Sequence, residues 1–298
     1  MSEVMNLASK VMDREARRGF AFAAPGVLVT AILVLFPIAY VLYLSFFQVD
    51  AGSSRFVGFE NFQAIMTEPK FGRIVWNTLW WTISTVVLAF LLGAGTAMLI
   101  NQDYIRAKGM WRTILLLSWI TPGVVKATVW KWLYSTDFGM INHGLMSLNI
   151  LQEPVAWLMN PSYSLAAVIL VQIWATFPYV MLMISAGLQA IPKDLFEVAD
   201  MEGASFWQRI RYIYIPQLKD VTFICVLILV IWSLNEFSII WIITQGGPMG
   251  SSQVLSLSIY DKFRSFDISG AAATSVLQLV ACLVFAAWYI RKSNKEAG

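Results

Sequence analysis

The stretch NTLWWTISTVVLAFLLGAGTAMLI, Asn77 to Ile100, contains no charged residue. A bilayer core of about 30 Å is crossed by about 20 apolar residues in a helix, each adding about 1.5 Å. This stretch is therefore long enough to span. Five more segments read the same way on either side of it. Phe20–Phe47 is uncharged, and Thr113–Tyr134 is apolar apart from Lys126 and Lys131. Tyr163–Leu188 is uncharged and includes Pro178; Val221–Thr244 carries one acid, Glu236; Gly270–Ile290 carries no charge. The expected fold class is an all-α polytopic membrane protein with six transmembrane helices.

Composition agrees. Of 298 residues, 58% are apolar and 13% charged, where soluble domains have about 25% charged residues. Mean hydropathy is +0.65. Length alone would suggest about two soluble domains of roughly 150 residues each, but a soluble fold could not hide this much apolar surface. Two Cys and one His exclude a disulfide framework, a haem attachment or a metal cluster. A net charge of +3 is too small to argue for nucleic acid. Val49-Asp50-Ala51 loosely resembles a signal cleavage site. The apolar run before it far exceeds the about 7–15 residues of a signal core, so the first helix is expected to be retained.

Orientation follows from Lys and Arg in the short connections. With the N-terminus inside, the inner segments hold Lys10, Arg14, Arg17, Arg18, Arg106, Lys108, Lys193, Arg209, Arg211, Lys219, Arg291, Lys292 and Lys295. The outer segments hold Arg55, Lys70, Arg73, Lys262 and Arg264. Thirteen against five predicts both termini in the cytoplasm. The outer connections are then Gln48–Val75, which has no strong fold signal, Ser135–Ser162, which lacks Lys and Arg, and Gln245–Ser269, which opens with the turn signal Gly246-Gly247-Pro248.

The inner connection Gln189–Lys219 is long for a link between membrane helices. Pro192 and Gly203 punctuate a short helix between them, with Leu195, Val198 and Ala199 on one face and Glu197 and Asp200 beside it. Ser205 can cap a second short helix through Trp207, Ile210 and Arg211 that Pro216 is expected to end. Interfacial helices lying on lipid are usually basic, but the segment between Pro192 and Gly203 has four acids against one Lys, which anionic lipid would repel. Docking to another protein is the better reading.

Glu197-Val198-Ala199, three residues, Gly203, nine residues, then Ile213-Tyr214-Ile215-Pro216 resembles the EAA loop of ABC importer permeases. Val198 replaces the middle Ala of that pattern and Ile215 its Leu; the Glu, Gly and Pro are intact. Gly187-Leu188-Gln189-Ala190-Ile191-Pro192, Thr244-Gln245-Gly246-Gly247-Pro248, Asp137-Phe138-Gly139, Asn142 and Trp157-Leu158-Met159-Asn160-Pro161 resemble the carbohydrate branch, its MalF/UgpA-like subunits. The resemblance runs from about Phe20 to Ile290. It implies a type I importer transmembrane domain and a division of the chain into an N-terminal cytoplasmic tail (1–19), a first transmembrane helix (20–47), a five-helix type-1 core (72–290) containing the coupling loop (189–219), and a cytoplasmic tail (291–298). It implies a second related permease, two ATP-binding cassette subunits and an extracytoplasmic solute-binding protein as partners, in a bacterial inner membrane. Glu197, Ala199, Asp200 and Gly203 would contact the ATPase. No G-x-x-x-x-G-K-[ST] motif occurs, so ATP and Mg are expected on the partner subunits, with no cofactor and no catalytic residue in this chain.

Polar residues at membrane depth are costly and mark function by default. On a straight helix, Lys126 would stand roughly 20 Å above Arg112 and Glu236 roughly 25 Å above Lys219, both in the outer half. Pro122 and Gly123 can loosen the third helix just before Lys126. Gln172, Thr176 and Tyr179 form one stripe on the fourth span, and Ser233 and Glu236 share a face of the fifth, with Asn235 adjacent. The resemblance implies substrate contacts from these helices, giving Trp119, Gly123, Lys126, Gln172, Thr176, Tyr179, Ser233, Asn235 and Glu236 as candidates. Packing between helices is the competing role for each polar one. Lys126 and Glu236 either neutralise each other or meet an anionic sugar. The rival function is an ion-coupled secondary transporter that relays protons through this pair.

Overall fold

The computed structural model describes residues 2–50, 53–102 and 104–297, with backbone alone for 2–18, 20, 50 and 293–297. The chain opens with α1 (Ser2–Ser45). A hairpin, β1 (Phe47–Asp50) and β2 (Ser53–Phe56), follows, then α2 (Glu60–Thr67) and α3 (Phe71–Ile100). Next come α4 (Lys108–Ile120), α5 (Gly123–Leu133), α6 (Met140–Ser147) and α7 (Ser164–Ala190). The connection after α7 holds α8 (Asp194–Met201), α9 (Phe206–Arg209), a π-turn (Ile210–Tyr214) and α10 (Ile215–Gln217). The chain closes with α11 (Lys219–Asn235), α12 (Ser238–Ile243), α13 (Leu255–Arg264) and α14 (Ile268–Ala297).

Among the described residues, four helices are each long and apolar enough to cross a membrane: Ala21–Ser45, Phe71–Ile100, Ser164–Ala190 and Ile268–Lys292. Bent pairs bring the number to as many as six. The hairpin is a small departure from an all-α chain. Its pairing of Phe47 with Phe56 brings the two rings to 5.3 Å, a cross-strand contact that favours the strand pair.

The central helix is α7. Val168, Val171, Val180, Met181 and Ile184 are all buried to within 1%, because α3, α4 and α11 surround it. Its closest neighbour is α3, and Gly93 is what allows the approach. A Cβ there would stand 2.5 Å from Val180 Cβ and 2.6 Å from the Phe177 carbonyl oxygen. By contrast α1 packs along α14 and leaves Leu33, Leu35, Phe36 and Tyr40 exposed, as a lipid-facing or partner-facing helix would.

Two expectations of straight spans are corrected. The third span is broken between α4 and α5, which meet at 93°. Pro122 has no N–H to give Ser118, and it drives Thr121 to an extended ψ of 132° before the helix restarts at Gly123. The fifth span is broken after Asn235: Glu236 is extended (ψ 125°) and α12 begins two residues later. The straight-helix depths for Lys126 and Glu236 therefore do not hold. Neither Pro nor Gly marks this second break. It is held open by side chains from other helices that satisfy the freed carbonyls. Trp81 Nε1 donates to Ser233 O (2.9 Å), Gln278 Nε2 to Leu234 O (3.0 Å) and Ser256 Oγ to Glu236 O (2.7 Å).

Candidate substrate path and coupling surface

The two breaks meet. Gly123 opens α5, and its Cα lies against Ser238 at the start of α12; a Cβ there would be 3.9 Å from Ser238 Cβ, an ordinary contact. Lys126, one turn into α5, is 9% exposed. Its helix packs on α12, which begins just after Glu236, yet among the described residues no ion pair or hydrogen bond joins the two side chains. Glu236 Oε1 instead accepts from Ile239 N (3.0 Å), capping α12. The structure brings the α5 turn of Gly123 and Lys126 against the break at Glu236, and among the described residues no anion is bonded directly to the Lys126 ammonium.

A second group is aromatic. Trp119, in the last turn of α4, lies 5.9 Å from Tyr179 and 6.4 Å from Trp232, and Tyr179 and Trp232 are 4.8 Å apart. Trp232 was not among the sequence candidates; its place one turn before Asn235 was the available signal. Trp232 and Asn235 are exposed on α11. Asn235 turns its amide nitrogen back onto Ile231 O (2.8 Å), leaving its amide oxygen outward.

The third group is interior. Gln172, Thr176 and Ser233 are buried and line a narrow void with Thr85, Val86 and Leu229. Ser233 Oγ and Thr85 Oγ1 are hydrogen-bonded at 2.9 Å, and Thr176 Oγ1 donates to Gln172 O at 2.7 Å. Gln172 Oε1 is buried with no partner. These three residues join α3, α7 and α11, and the structure does not bring them onto the open face that carries Trp232 and Asn235.

On the connection after α7, the helix α8 ends in a Schellman closure: Ala204 N donates to Ala199 O (2.9 Å) and Gly203 N to Asp200 O (3.1 Å). That closure needs the left-handed φ of +68° that Gly203 supplies. Ser205 then caps α9 in a reciprocal box with Gln208, as its position in the sequence suggested. Pro216 does not end the second helix. The chain stays helical to Gln217, and the wider π-turn just before Pro216 accommodates its ring and missing N–H. The face expectation for α8 is also refined. Phe196 and Ala199 turn inward, with Phe196 5.4 Å from the Tyr214 ring. Leu195, Val198 and Met201 are exposed, Met201 at 89%, together with Glu197. Asp200 pairs with Arg209, tying α8 to α9.

What these elements define is a membrane permease: a helical bundle with two interrupted spans and a projecting helix pair that offers an apolar, acidic surface. Residues 75–291 match the profile of the family described as "Binding-protein-dependent transport system inner membrane component", and the chain belongs to that family. It is 30% identical over 288 residues, 96% of this chain and 97% of that protein, to the trehalose/maltose transport system permease MalF of Thermococcus litoralis. It is 32% identical over 272 residues, 90% of this chain and 87% of that protein, to the sulfoquinovosyl glycerol transport system permease SmoG of Agrobacterium fabrum. Its fold is that of a type I ABC importer transmembrane domain. A chain of the bacterial alginate ABC transporter, crystallised with an alginate-bound periplasmic protein, superposes with a TM-score of 0.83 at 21% identity, covering 96% of both chains. The relatives are transport permeases, and membership of this family does not favour the ion-coupled alternative.

Proposed function

We propose that this chain is one permease of an ATP-driven sugar importer, paired with a second related permease, two ATP-binding cassette subunits and an extracytoplasmic binding protein. The observation that carries the reading is α8. Its Phe196 and Ala199 anchor it to the bundle while Leu195, Glu197, Val198 and Met201 stand free. Such a surface suits a groove in a partner that also offers a cation. ATP and Mg belong to those partners, and both termini and α8 lie in the cytoplasm. Relatives named for trehalose/maltose and for sulfoquinovosyl glycerol support a sugar substrate.

Within that class the substrate carries an anionic group, such as a carboxylate, sulfonate or phosphate. Lys126 supports this: the residue is 9% exposed, and among the described residues no acid bonds its ammonium at the N-terminal turn of α5, where the helix dipole also favours negative charge. Trp119 and Trp232 offer ring faces, and Asn235 an amide oxygen, to the sugar itself.

Two measurements test the two levels separately. Glu197→Gln with Gly203→Val should uncouple substrate-stimulated ATP hydrolysis in the assembled transporter while leaving the permease in the membrane; unchanged stimulation would overturn the docking role. Lys126→Gln should fold and lose transport of the acidic sugar, with no recovery in Lys126→Gln/Glu236→Gln. Recovery in the double variant would mean that the two residues form a structural pair.

A further inference from the structure

At the α8 end of the bundle, away from the Lys126 region, lies a groove of about 360 Å³ that none of the roles above uses. Its floor is apolar: Phe90, Ala94 and Met98 from α3, Ile184 from α7, and Leu218 and Phe223 around the start of α11. Its rim is polar. Lys219 and Lys292 are exposed at its edge with one acid, Asp220, which sits in the first turn of α11, where a helix N-terminus favours it. Lys292 also lies 5.9 Å from the Trp288 ring centre, an arrangement typical of a membrane–water boundary.

We infer that this groove holds an anionic phospholipid of the cytoplasmic leaflet, one acyl chain on the apolar floor and the phosphate between Lys219 and Lys292. The charge and polarity of the site are what select this occupant. An apolar floor open to the bilayer suits a chain, and basic pockets between membrane helices on the cytoplasmic side bind anionic headgroups. A sugar would find no amide or carboxylate cluster there, and a soluble anion would have no use for the floor. The leaflet follows from the orientation proposed above; lipid occupancy itself does not depend on which sugar is carried.

The position has a mechanical meaning. Tyr214, Ile215 and Leu218 form one wall of the groove, and the Tyr214 ring packs at a tilt against Phe196 of α8. A bound lipid therefore braces the segment that joins the coupling helix to α11, and it regulates how firmly α8 is held.

The test uses the full chain purified with the subunits that accompany it, exchanged into phosphatidylcholine nanodiscs with or without phosphatidylglycerol. Native mass spectrometry should find phosphatidylglycerol retained in preference to phosphatidylcholine. Lys219→Gln/Lys292→Gln should lower that retention roughly tenfold or more. Ala94→Trp, which fills the floor and leaves both charges, should lower it as well. Equal retention of the two lipids by the unaltered chain, or undiminished phosphatidylglycerol in both variants, would overturn the site. A photo-crosslinker at Phe223 gives an independent reading without touching the lysines. Capture of lipid supports the inference, and capture of a partner polypeptide in its place refutes it. Failure of sugar transport leaves these readouts unaffected, so the two proposals fail separately.

Discussion

The Trp81 indole, fully buried in α3, donates through Nε1 to the carbonyl of Ser233 at 2.9 Å, in the last turn of α11. That bond, with Thr85 to the Ser233 hydroxyl, ties the second span to the point where the fifth span breaks.

Trp81→Phe keeps most of the ring but removes the donor. It should destabilise the permease by about 1–3 kcal/mol, the cost of losing a buried hydrogen bond, with the longer bond from Glu236 N (3.3 Å) alone left on that carbonyl, and of leaving a small void. Thermal unfolding of the detergent-solubilised chain checks this. A variant as stable as the parent would mean that the Glu236 N–H alone satisfies the Ser233 carbonyl.

Gly93→Ala tests the contact between α3 and α7. The added methyl meets Val180 Cβ and the Phe177 backbone, and backbone cannot rotate aside. Overpacking of this kind costs about 1–3 kcal/mol. Melting temperature should fall, and cysteine crosslinking across the α3–α7 contact should slow. Gly95→Ala, where a methyl meets nothing within 4 Å, serves as the control.

Asp261, on the short helix α13, carries a carboxyl raised above the ordinary value of 3.8. Burial is the main cause, opposed by the hydrogen bond from Gln253 and by the charges of Arg264 and Lys70. A raised acid binds its proton more tightly in the folded state. Stability should therefore fall as pH rises through the window just above 3.8 and level off beyond the raised value. Asp261→Asn should flatten that slope. A melting-temperature series in pH, run on parent and variant together, reads it directly; parallel slopes would exclude Asp261 as their source.

Orientation is checked by single cysteines at Ser205 and Ser147, both exposed. A membrane-impermeant thiol reagent applied to intact cells should reach position 147 and not position 205. The reverse pattern would invert the assignment of both termini and of α8.

The membrane character of the chain is plain in the sequence, because an uncharged run such as Asn77–Ile100 has few other uses. At Thr121-Pro122 the sequence marks a loosening, since Pro acts on the residues next to it, but not the 93° break. The break at Glu236 was not marked at all. Its determinants are Trp81, Gln278 and Ser256, far away along the chain, and only the folded bundle brings them to Ser233, Leu234 and Glu236. The same reason divides the site residues. Helical periodicity put Gln172, Thr176 and Tyr179 on one stripe, but it could not say that α3 and α11 close over the first two while Tyr179 meets Trp119 and Trp232. On α8, the EAA pattern singled out Ala199, which the fold buries. Which neighbours are anchors and which are free became legible only with Tyr214 against Phe196.

The interruption after Asn235 has one more implication. An unbroken helix is a rod, and torque applied at Lys219 would turn its far end by the same angle. Here the backbone ladder stops, so α12 is not driven by rotation of α11. It is geared to α5, on which it packs. Rotation at the Lys219 end can reach α12 only through lateral side-chain linkages such as Trp81, and so arrives there as tilt rather than as spin.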